Sequence, residues 1–450
     1  MVQVPNMHPR SVFHARKIRR GPMRRVFTLA CAFVWIACQV AAQAPAQLPP
    51  PVDWQAAGLM KGSPPPEGKQ VTKANWLSYP FIRWSFQHSR ELFPTKPVDR
   101  GPTATALAAD LKELDKFAFD DDKGSPVTFD AFLRNTYTDG IVVLQKGKVI
   151  YERYLNGMTP DTHHMLFSTS KSFVGLVAAI LVSKGVLDEN APVSKHVPEL
   201  AASAYGDATV RQVMDMRVGA KFSEVYTDPK SDIFKYVIAA DWAPPPPNYQ
   251  GPTNLYATLA ALTEREGPHG EAFGYKSASS DVLGWVASRA TGKSLSELVS
   301  EMIWSKIGAD HKGYYLADPL GVEVAMGGLN VTLRDLARLG QTMLQMGQWE
   351  GREVVPKSVV EDIMKGGDRD AFAKGNQPTR PGWSYRSQWW ITHNQNGAYL
   401  AMGVFGQRLY IDPKAQMVVA KVGSHPVPGN AFTDAIHQKA FDALAKTLMK

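Results

Sequence analysis

Short runs of apolar residues, bounded by residues that favour turns, predict β-strands near both ends of the chain. Residues 140–145 and 148–154 contain two such runs, and the Lys146-Gly147 pair between them is typical of a tight hairpin turn. Near the C-terminus the same pattern recurs in four segments, each bounded by residues that favour turns. These predicted strands are residues 387–392, 398–405, 407–412 and 416–422.

Apolar residues spaced three and four apart predict helices over much of the remaining chain. The run at residues 173–182 is apolar on every side, which indicates a buried helix, and it follows Ser168-Thr169-Ser170-Lys171 directly. A further helix, residues 432–449, ends the chain. The other predicted helices are residues 104–119, 209–216, 279–290, 294–307 and 332–346.

Strands at both ends with helices between them indicate the fold class α/β (α+β). We expect an antiparallel sheet flanked by helices, with an inserted mainly helical domain and a pocket at their junction. Residues 43–73 are rich in proline and predict an extended tether. Residues 74–130 begin with many aromatic side chains and predict an N-terminal extension packed on the body, which is the domain of residues 131–450.

The first 42 residues differ from the rest of the chain in charge. The whole chain holds 50 Lys and Arg against 42 Asp and Glu, a net charge of +8. Seven of the basic residues and none of the acidic ones lie in residues 1–42, so the body is close to neutral. A near-neutral body gives no electrostatic basis for binding nucleic acid or an anionic membrane.

The basic stretch precedes an apolar run at residues 26–42, an order typical of a secretory signal peptide. We therefore predict that residues 1–42 are a signal peptide and that the protein is periplasmic or secreted. A retained membrane anchor is the alternative, although the run is shorter than the ~20 residues that span a bilayer. Both cysteines, Cys31 and Cys38, lie in this leader, so the mature chain would have no disulfide; a lipid on Cys38 would be another route to a membrane.

Ser168 and Lys171 form the candidate catalytic pair. Residues three apart lie on one helix face, so the amine of Lys171 can reach the hydroxyl of Ser168. At the mouth of a buried helix the amine is partly desolvated, and desolvation favours the neutral form that accepts a proton. A helix-capping serine followed by a solvated lysine is the alternative interpretation.

Two later segments supply candidates for the other catalytic groups. Tyr275 lies just before a predicted helix, where a phenol could relay a proton to a leaving group. Gly403 and Val404 lie on a predicted strand, and glycine there would let a substrate carbonyl approach the backbone. The backbone N–H groups of Ser168 and Val404 are then candidates for an oxyanion hole.

Other chemistries have no support in the sequence. The chain contains no Gly-x-Ser-x-Gly elbow, no His-Glu-x-x-His zinc motif and no phosphate-binding glycine loop. We therefore expect no metal and no cofactor.

Several blocks in the same order along the chain resemble the serine β-lactamase and penicillin-binding-protein superfamily, in its class C-like branch. More narrowly they are similar to the 6-aminohexanoate-dimer hydrolases, which are amidases with a β-lactamase fold. The resemblance runs from about residue 75 to the C-terminus. Its most specific blocks are Asn75-Trp76-Leu77, Phe167-Ser168-Thr169-Ser170-Lys171-Ser172, Tyr275-Lys276-Ser277, Asp281-Val282-Leu283-Gly284-Trp285 and Gly406-Gln407.

The resemblance implies roles for individual residues. Ser168 would be the nucleophile, Lys171 its general base and Tyr275 the proton relay. Val404 would supply an oxyanion N–H. The resemblance also implies three substrate-binding residues. Ser277 occupies the third position of the Tyr-x-Asn element, Tyr226 lies on a loop that closes over an amide substrate, and Gly403 lies on the oxyanion strand. The branch also implies an acidic pocket residue, for which Asp241 and Asp232 are candidates.

One departure from the superfamily narrows the expected substrates. The Lys-Thr-Gly strand, whose cation holds the penicillin carboxylate, here reads Ala401-Met402-Gly403. We expect an exported serine hydrolase that cleaves a small linear amide or ester through an acyl-serine intermediate, with poor recognition of β-lactams. The alternatives are a carboxylesterase, a D-Ala-type peptidase or β-lactamase, and a catalytically dead binding protein of the same fold.

Overall fold

A computed structural model describes residues 48–226, 228–375 and 377–450. The predicted signal peptide, with Cys31 and Cys38, lies outside the described residues. The strands are, in chain order, β1 (Thr95–Val98), β2 (Ala118–Asp120), β3 (Pro126–Thr128), β4 (Thr138–Gln145), β5 (Lys148–Tyr154), β6 (His163–Met165), β7 (Gly313–Leu316), β8 (Leu329–Thr332), β9 (Gln348–Trp349), β10 (Arg352–Glu353), β11 (Ser384–Arg386), β12 (Trp389–Ile391), β13 (Tyr399–Gly403), β14 (Gln407–Asp412) and β15 (Met417–Gly423).

The helices alternate with these strands and concentrate in the middle of the chain. They are α1 (Ile82–Ser85), α2 (Phe129–Asn135), α3 (Thr169–Ser183), α4 (Val193–His196), α5 (Val210–Met214), α6 (Asp232–Ala239), α7 (Leu255–Ala261), α8 (Ser277–Thr291), α9 (Leu295–Val299), α10 (Leu333–Leu344), α11 (Lys357–Lys365), α12 (Arg369–Lys374) and α13 (Ala431–Leu448). No helix within the described ranges is both long and apolar enough to cross a bilayer.

The main sheet has seven antiparallel strands in the order β11-β12-β13-β14-β15-β4-β5. Pairing of β15 with β4 joins the C-terminal strands to the N-terminal hairpin, for example Val419 opposite Val143. The expected fold class, an antiparallel sheet completed from both ends of the chain and flanked by helices, is thus confirmed. A smaller sheet, β1-β7-β8-β6, carries the strand that leads into the nucleophile candidate.

Helix α3 lies at the centre of the molecule, between the main sheet and the helical part. Its residues Thr169–Leu181 are all buried, as the apolar sequence predicts, and it packs against α8 and β13. On the other side, α10 packs across β4, β14 and β15. Because α3 is packed on all sides, its first turn, which contains Lys171, is held in a fixed position.

The predicted helix at residues 104–119 is wrong. This segment is extended and runs beside the edge strand β5, where the Asp110 N–H donates to the Val149 carbonyl at 2.8 Å and the Lys112 N–H donates to the Ile150 carbonyl at 2.7 Å. An edge strand offers unpaired backbone groups, and pairing with them outweighs the helical preference of the segment.

The residues before the main sheet pack closely on the body. Leu59 and Val71 are buried, so residues 48–73 contact the core rather than standing free as an extended tether. Farther along, Arg83 forms a buried ion pair of 2.7 Å with Asp139 on β4. These contacts attach the N-terminal segment to the sheet.

An aromatic cluster lies beneath the start of α3. It consists of Trp76, Phe86, Phe167, Trp242 and Phe405. Phe86 is 4.7 Å from Phe167 and 5.0 Å from Phe405 between ring centroids, and Trp76 is stacked on Phe167 at 6.4 Å. The N-terminal extension thus supplies part of the floor under the candidate nucleophile.

Candidate active site

Ser168 lies at the N-terminal end of α3, immediately after a sharp change of chain direction. The preceding residue, Phe167, has φ of 45°, a conformation that side chains other than glycine rarely adopt and that costs on the order of 1–3 kcal/mol. Packing of Phe167 in the aromatic cluster holds this strained turn. The turn leaves Ser168 partly accessible from a cavity, at the positive end of the helix dipole of α3.

Lys171 is brought to Ser168 by the helical spacing. Its Nζ donates to Ser168 Oγ at 2.9 Å and to the Met326 carbonyl at 2.6 Å, and the side chain is 1% exposed. Burial lowers the pKa of the Lys171 ammonium, whereas the negative charges of Glu224 and Asp281 oppose that shift. The arrangement favours an amine that accepts the hydroxyl proton of Ser168.

Asp281, from α8, lies behind the lysine. It accepts hydrogen bonds from the Tyr236 hydroxyl at 2.9 Å and from the Met326 N–H at 3.2 Å. Met326 therefore links this carboxyl to Lys171 through its own backbone. Burial raises the pKa of Asp281, and the charge of Lys171 opposes the rise.

Tyr275 lies on the loop that leads into α8, as the sequence predicts. Lys171 Nζ is 5.3 Å from the centroid of its ring, and Trp390 stacks on the same phenol at 5.5 Å. Burial raises the pKa of Tyr275, the charge of Glu224 raises it further, and a contact with Ser168 lowers it. The phenol is therefore protonated at neutral pH and adjacent to both members of the candidate pair.

Strand β13 passes directly beside the nucleophile turn. A Cβ on Gly403 would lie 2.4 Å from the Leu166 carbonyl oxygen, so only glycine allows this approach. The next residue, Val404, lines the cavity together with Ser168, and Phe405 after it has φ of 62°. The two candidate oxyanion residues, Ser168 and Val404, thus line the same cavity.

Two of the three residues predicted to bind substrate, Tyr226 and Ser277, contact a carboxylate that sequence reasoning missed. Glu224 accepts from the Tyr226 hydroxyl at 2.6 Å, from the Ser277 hydroxyl at 2.8 Å and from the Ser277 N–H at 2.7 Å. Glu224 lies two residues before Tyr226, which the sequence analysis already assigns to substrate binding. This short separation in sequence is the signal that could have identified Glu224 as a site residue.

The two aspartates considered as acidic pocket residues lie elsewhere. Asp241 pairs with Lys73 at 2.5 Å, and Asp232 accepts from the backbone and hydroxyl of Ser223 at the start of α6. Neither residue lines the cavity. The acidic residues of its wall are Glu224, Glu266 and Glu271.

The cavity has a volume of about 870 Å³, enough for a small extended molecule. Aromatic residues, among them Tyr275 and Trp390, form part of its wall, and Lys276, Lys374 and Arg380 add positive charge. Across the described ranges no group of three or more His, Cys, Asp or Glu side chains is placed to hold a metal ion.

Comparison with known proteins gives the family. The Beta-lactamase family profile matches residues 129–443. The 6-aminohexanoate-dimer hydrolase of Paenarthrobacter ureafaciens is 36% identical over 370 residues, which cover 80% of this chain and 89% of that protein.

Solved structures agree with this assignment. A Bacillus anthracis protein assigned as a 6-aminohexanoate-dimer hydrolase superposes with a TM-score of 0.79 at 34% identity, over 85% of this chain and 98% of the other. A family VIII carboxylesterase shares the fold, with a TM-score of 0.53 at 17% identity over 70% of this chain and 96% of the other. The chain therefore belongs to the β-lactamase family of serine hydrolases and is a homologue of 6-aminohexanoate-dimer hydrolase.

Proposed function

We propose that this protein is an amidase that cleaves small linear amides through an acyl-Ser168 intermediate. The observation that carries the proposal is the 2.9 Å contact between the buried amine of Lys171 and the Ser168 hydroxyl. Neutral Lys171 takes the hydroxyl proton as Ser168 Oγ attacks the substrate carbonyl carbon. The resulting oxyanion is held by the N–H groups of Ser168 and Val404.

Tyr275 completes the cycle. Its protonated phenol gives a proton to the leaving nitrogen as the carbon–nitrogen bond breaks, and the Lys171 ammonium restores the phenol. Water then attacks the acyl carbon and gives a proton to neutral Lys171. As the bond from the acyl carbon to Ser168 Oγ breaks, the Lys171 ammonium returns that proton to the serine oxygen, which releases the carboxylic acid and frees Ser168. Each proton has a named donor and acceptor among residues within the same cavity wall or in contact with it.

The Tyr226–Glu224 hydrogen bond supports amides over esters. Because the Tyr226 hydroxyl donates its hydrogen to Glu224, its lone pairs are free to accept the N–H of a bound amide. An ester has no such hydrogen, so this interaction discriminates between the two classes. The match to 6-aminohexanoate-dimer hydrolase supports the same preference.

Active-site labelling tests the mechanism. We expect a fluorophosphonate probe to give one adduct, located on Ser168 by peptide mass spectrometry and absent in Ser168→Ala. A folded wild-type protein that takes no label would contradict the mechanism and favour a dead binding protein.

A matched amide and ester with the same acyl group test the substrate class. Tyr226→Phe is expected to lower kcat/KM for the amide about tenfold or more, the cost of one unmade hydrogen bond in a buried site, and to spare the ester. Equal losses on both substrates would favour the carboxylesterase alternative.

We also propose export, on the basis of the basic and apolar leader at residues 1–42. N-terminal sequencing of protein from a bacterial host should give a start near residue 43 or 45 in the periplasm or medium. A full-length chain retained in the cytoplasm would contradict export.

A further inference from the structure

The turn that carries the candidate oxyanion donor Val404 is strained. Strand β13 ends at Gly403 and β14 begins at Gln407, so only three residues join the two paired strands. Of these, Phe405 has φ of 62° and Gly406 has φ of 100°. A positive φ in phenylalanine costs on the order of 1–3 kcal/mol and persists only where surrounding contacts enforce it. The direction of the Val404 N–H therefore depends on the groups that hold this turn.

Asn430 spans the turn with both ends of its side-chain amide. Its Nδ2 donates to the Gly403 carbonyl at 2.8 Å, and its Oδ1 accepts from the Gly406 N–H at 3.0 Å. Because a backbone N–H can only donate, this pattern fixes which end of the amide is the oxygen. The two contacts lie on either side of Val404 and close the turn across it.

The contact with the Gly403 carbonyl bears directly on the oxyanion donor. The carbonyl of Gly403 and the N–H of Val404 belong to one peptide unit, which is planar and trans. In such a unit the C=O and N–H bonds point in opposite directions, so a partner that holds the oxygen also sets the direction of the hydrogen. A hydrogen bond to the carbonyl also polarises the unit and makes its N–H a stronger donor.

Asn430 makes these contacts in place of capping its own helix. It lies at the N-cap of α13, where an asparagine side chain ordinarily accepts an N–H of the first turn, and its described contacts include no such bond. His425 holds the amide in the other orientation, because its Nε2–H donates to Asn430 Oδ1 at 3.0 Å. Burial lowers the pKa of the His425 imidazole to about 3, so the ring is neutral at physiological pH.

The imidazole of His425 is itself fixed by packing. It is fully buried, and its centroid lies 6.1 Å from the ring of Phe405 and 4.9 Å from the ring of Phe432. Its Nε2 must carry the single proton of the neutral ring, because Asn430 Oδ1 can only accept. A buried, neutral histidine thus orients the amide that in turn holds the oxyanion turn.

We propose that Asn430, oriented by His425, is a positioning residue that fixes the direction of the Val404 N–H towards the oxyanion. The proposal rests on the proposed function, because it requires that Val404 hold the oxyanion. Neither side chain takes part in the proton transfers of the proposed mechanism. The oxyanion gains its charge only as the tetrahedral intermediate forms, so a misdirected N–H raises the barrier of the reaction and leaves substrate binding intact.

Asn430→Ala tests this role on two substrates with one acyl group, N-butylhexanamide and p-nitrophenyl hexanoate. Loss of a whole oxyanion donor costs about 100–1000-fold in kcat, so a donor that is present but misdirected should cost about 10–100-fold. KM should stay within about twofold, and the loss should occur on both substrates because both form the same oxyanion. A loss confined to the amide, or a rise in KM with kcat unchanged, would make Asn430 a substrate-binding residue and overturn the proposal.

Inhibition by a transition-state mimic gives a readout that a merely structural role would not change. Pentylboronic acid binds a serine oxygen as a tetrahedral anion and has the chain length of the hexanoyl group. Its inhibition constant should rise in Asn430→Ala by about the factor by which kcat falls, with kcat normalised to the fraction of Ser168 that a fluorophosphonate labels. An inhibition constant that keeps its wild-type value would overturn the proposal.

Asn254→Ala is the matched control. Asn254 also lies at a helix N-cap, that of α7, where its Oδ1 accepts from the Ala257 N–H at 2.9 Å, and it lies outside the described wall of the cavity. This substitution should lower the melting temperature and leave kcat and the boronate inhibition constant at their wild-type values. An equal loss of kcat in Asn254→Ala and Asn430→Ala would show that the effect follows from reduced stability, which overturns the proposal.

Two substitutions at His425 decide the question if Asn430→Ala does not fold. His425→Phe keeps a ring in the packed position and removes the donor to Asn430, whereas His425→Gln places an NH₂ group near the position of imidazole Nε2. We expect kcat to fall about tenfold in His425→Phe and to be largely retained in His425→Gln. Equal kcat values in the two variants would overturn the proposal.

Fluorophosphonate labelling of wild type separates this proposal from the proposed function. Absence of label on Ser168 in folded wild-type protein contradicts the proposed function. Normal labelling of wild type, together with an unchanged kcat in Asn430→Ala, overturns the positioning role alone.

Discussion

Glu224 is expected to control both the protonation of Lys171, the proposed general base, and the order of the loop that carries Tyr226. In Glu224→Gln the loss of negative charge removes an attraction that stabilises the Lys171 ammonium, so the pKa of Lys171 falls. Because the proposed base acts in its neutral form, kcat/KM rises with pH as the ammonium loses its proton. The acidic limb of the pH–rate profile should therefore move to lower pH, on the order of one unit.

The same substitution should weaken the loop. Three donors point at the two oxygens of Glu224: the hydroxyls of Tyr226 and Ser277 meet Oε1, and the Ser277 N–H meets Oε2. Glutamine can accept from the Ser277 N–H with its oxygen and donate to both hydroxyls with its NH₂ group, so three charge-assisted hydrogen bonds become neutral ones. The loss of charge assistance should lower the free energy of unfolding by about 1 kcal/mol or more.

The assay is kcat/KM for an uncharged amide between pH 5 and pH 10, with urea unfolding of the same samples. Glu264→Gln is the matched control, because Glu264 is exposed and pairs with Lys221 on the surface. In Glu264→Gln, both the acidic limb of the pH–rate profile and the midpoint of urea unfolding should be unchanged. A limb that stays fixed or moves to higher pH in Glu224→Gln would refute the electrostatic argument, and an unchanged unfolding free energy would refute the hydrogen-bond argument.

Three further substitutions test other parts of the structure. Lys171→Ala should abolish amide turnover with a retained circular dichroism spectrum, and near-normal turnover would require another base. Gly403→Ala should lower the free energy of unfolding by about 1–3 kcal/mol and turnover at least tenfold, because its Cβ would meet the Leu166 oxygen at 2.4 Å; wild-type values in urea unfolding and kinetics would show that the strand has room to move. Burial lowers the pKa of Lys421 to about 7, below that of an exposed lysine, so the unfolded chain binds the extra proton between pH 7 and about 10 and wild-type stability should rise over that range. Lys421→Met should therefore raise the melting temperature at pH 7, by an amount that shrinks towards pH 10, and equal melting temperatures at pH 7 would contradict an unpaired buried amine.

Local patterns predicted most of the secondary structure. The hairpin strand at residues 148–154 is confirmed as β5, because a short apolar run and a turn dipeptide are properties of neighbouring residues. The segment at residues 104–119 shows the limit of such patterns. Its conformation depends on the free edge of β5, which no short window of sequence contains.

In the candidate site, too, some contacts could be predicted from the sequence and others could not. The contact between Ser168 and Lys171 follows from helical spacing, so sequence alone could place those two atoms together. The choice of Glu224 over Asp241 and Asp232 could not be made locally. All three carboxylates lie near Tyr226 or α6 in sequence, and only the packing of the loop against Ser277 separates them.

The aromatic cluster bears on how the chain can be divided. The family match begins at residue 129, and every candidate catalytic group lies after that point. Yet Trp76 and Phe86, which precede it by some distance, pack against Phe167 and Phe405, the two residues of positive φ that flank Ser168 and Val404. A deletion that removed the extension would keep all the reacting atoms and lose the support of both strained turns. We therefore expect that removing the extension would lower catalytic turnover as well as stability, although no reacting group would be deleted.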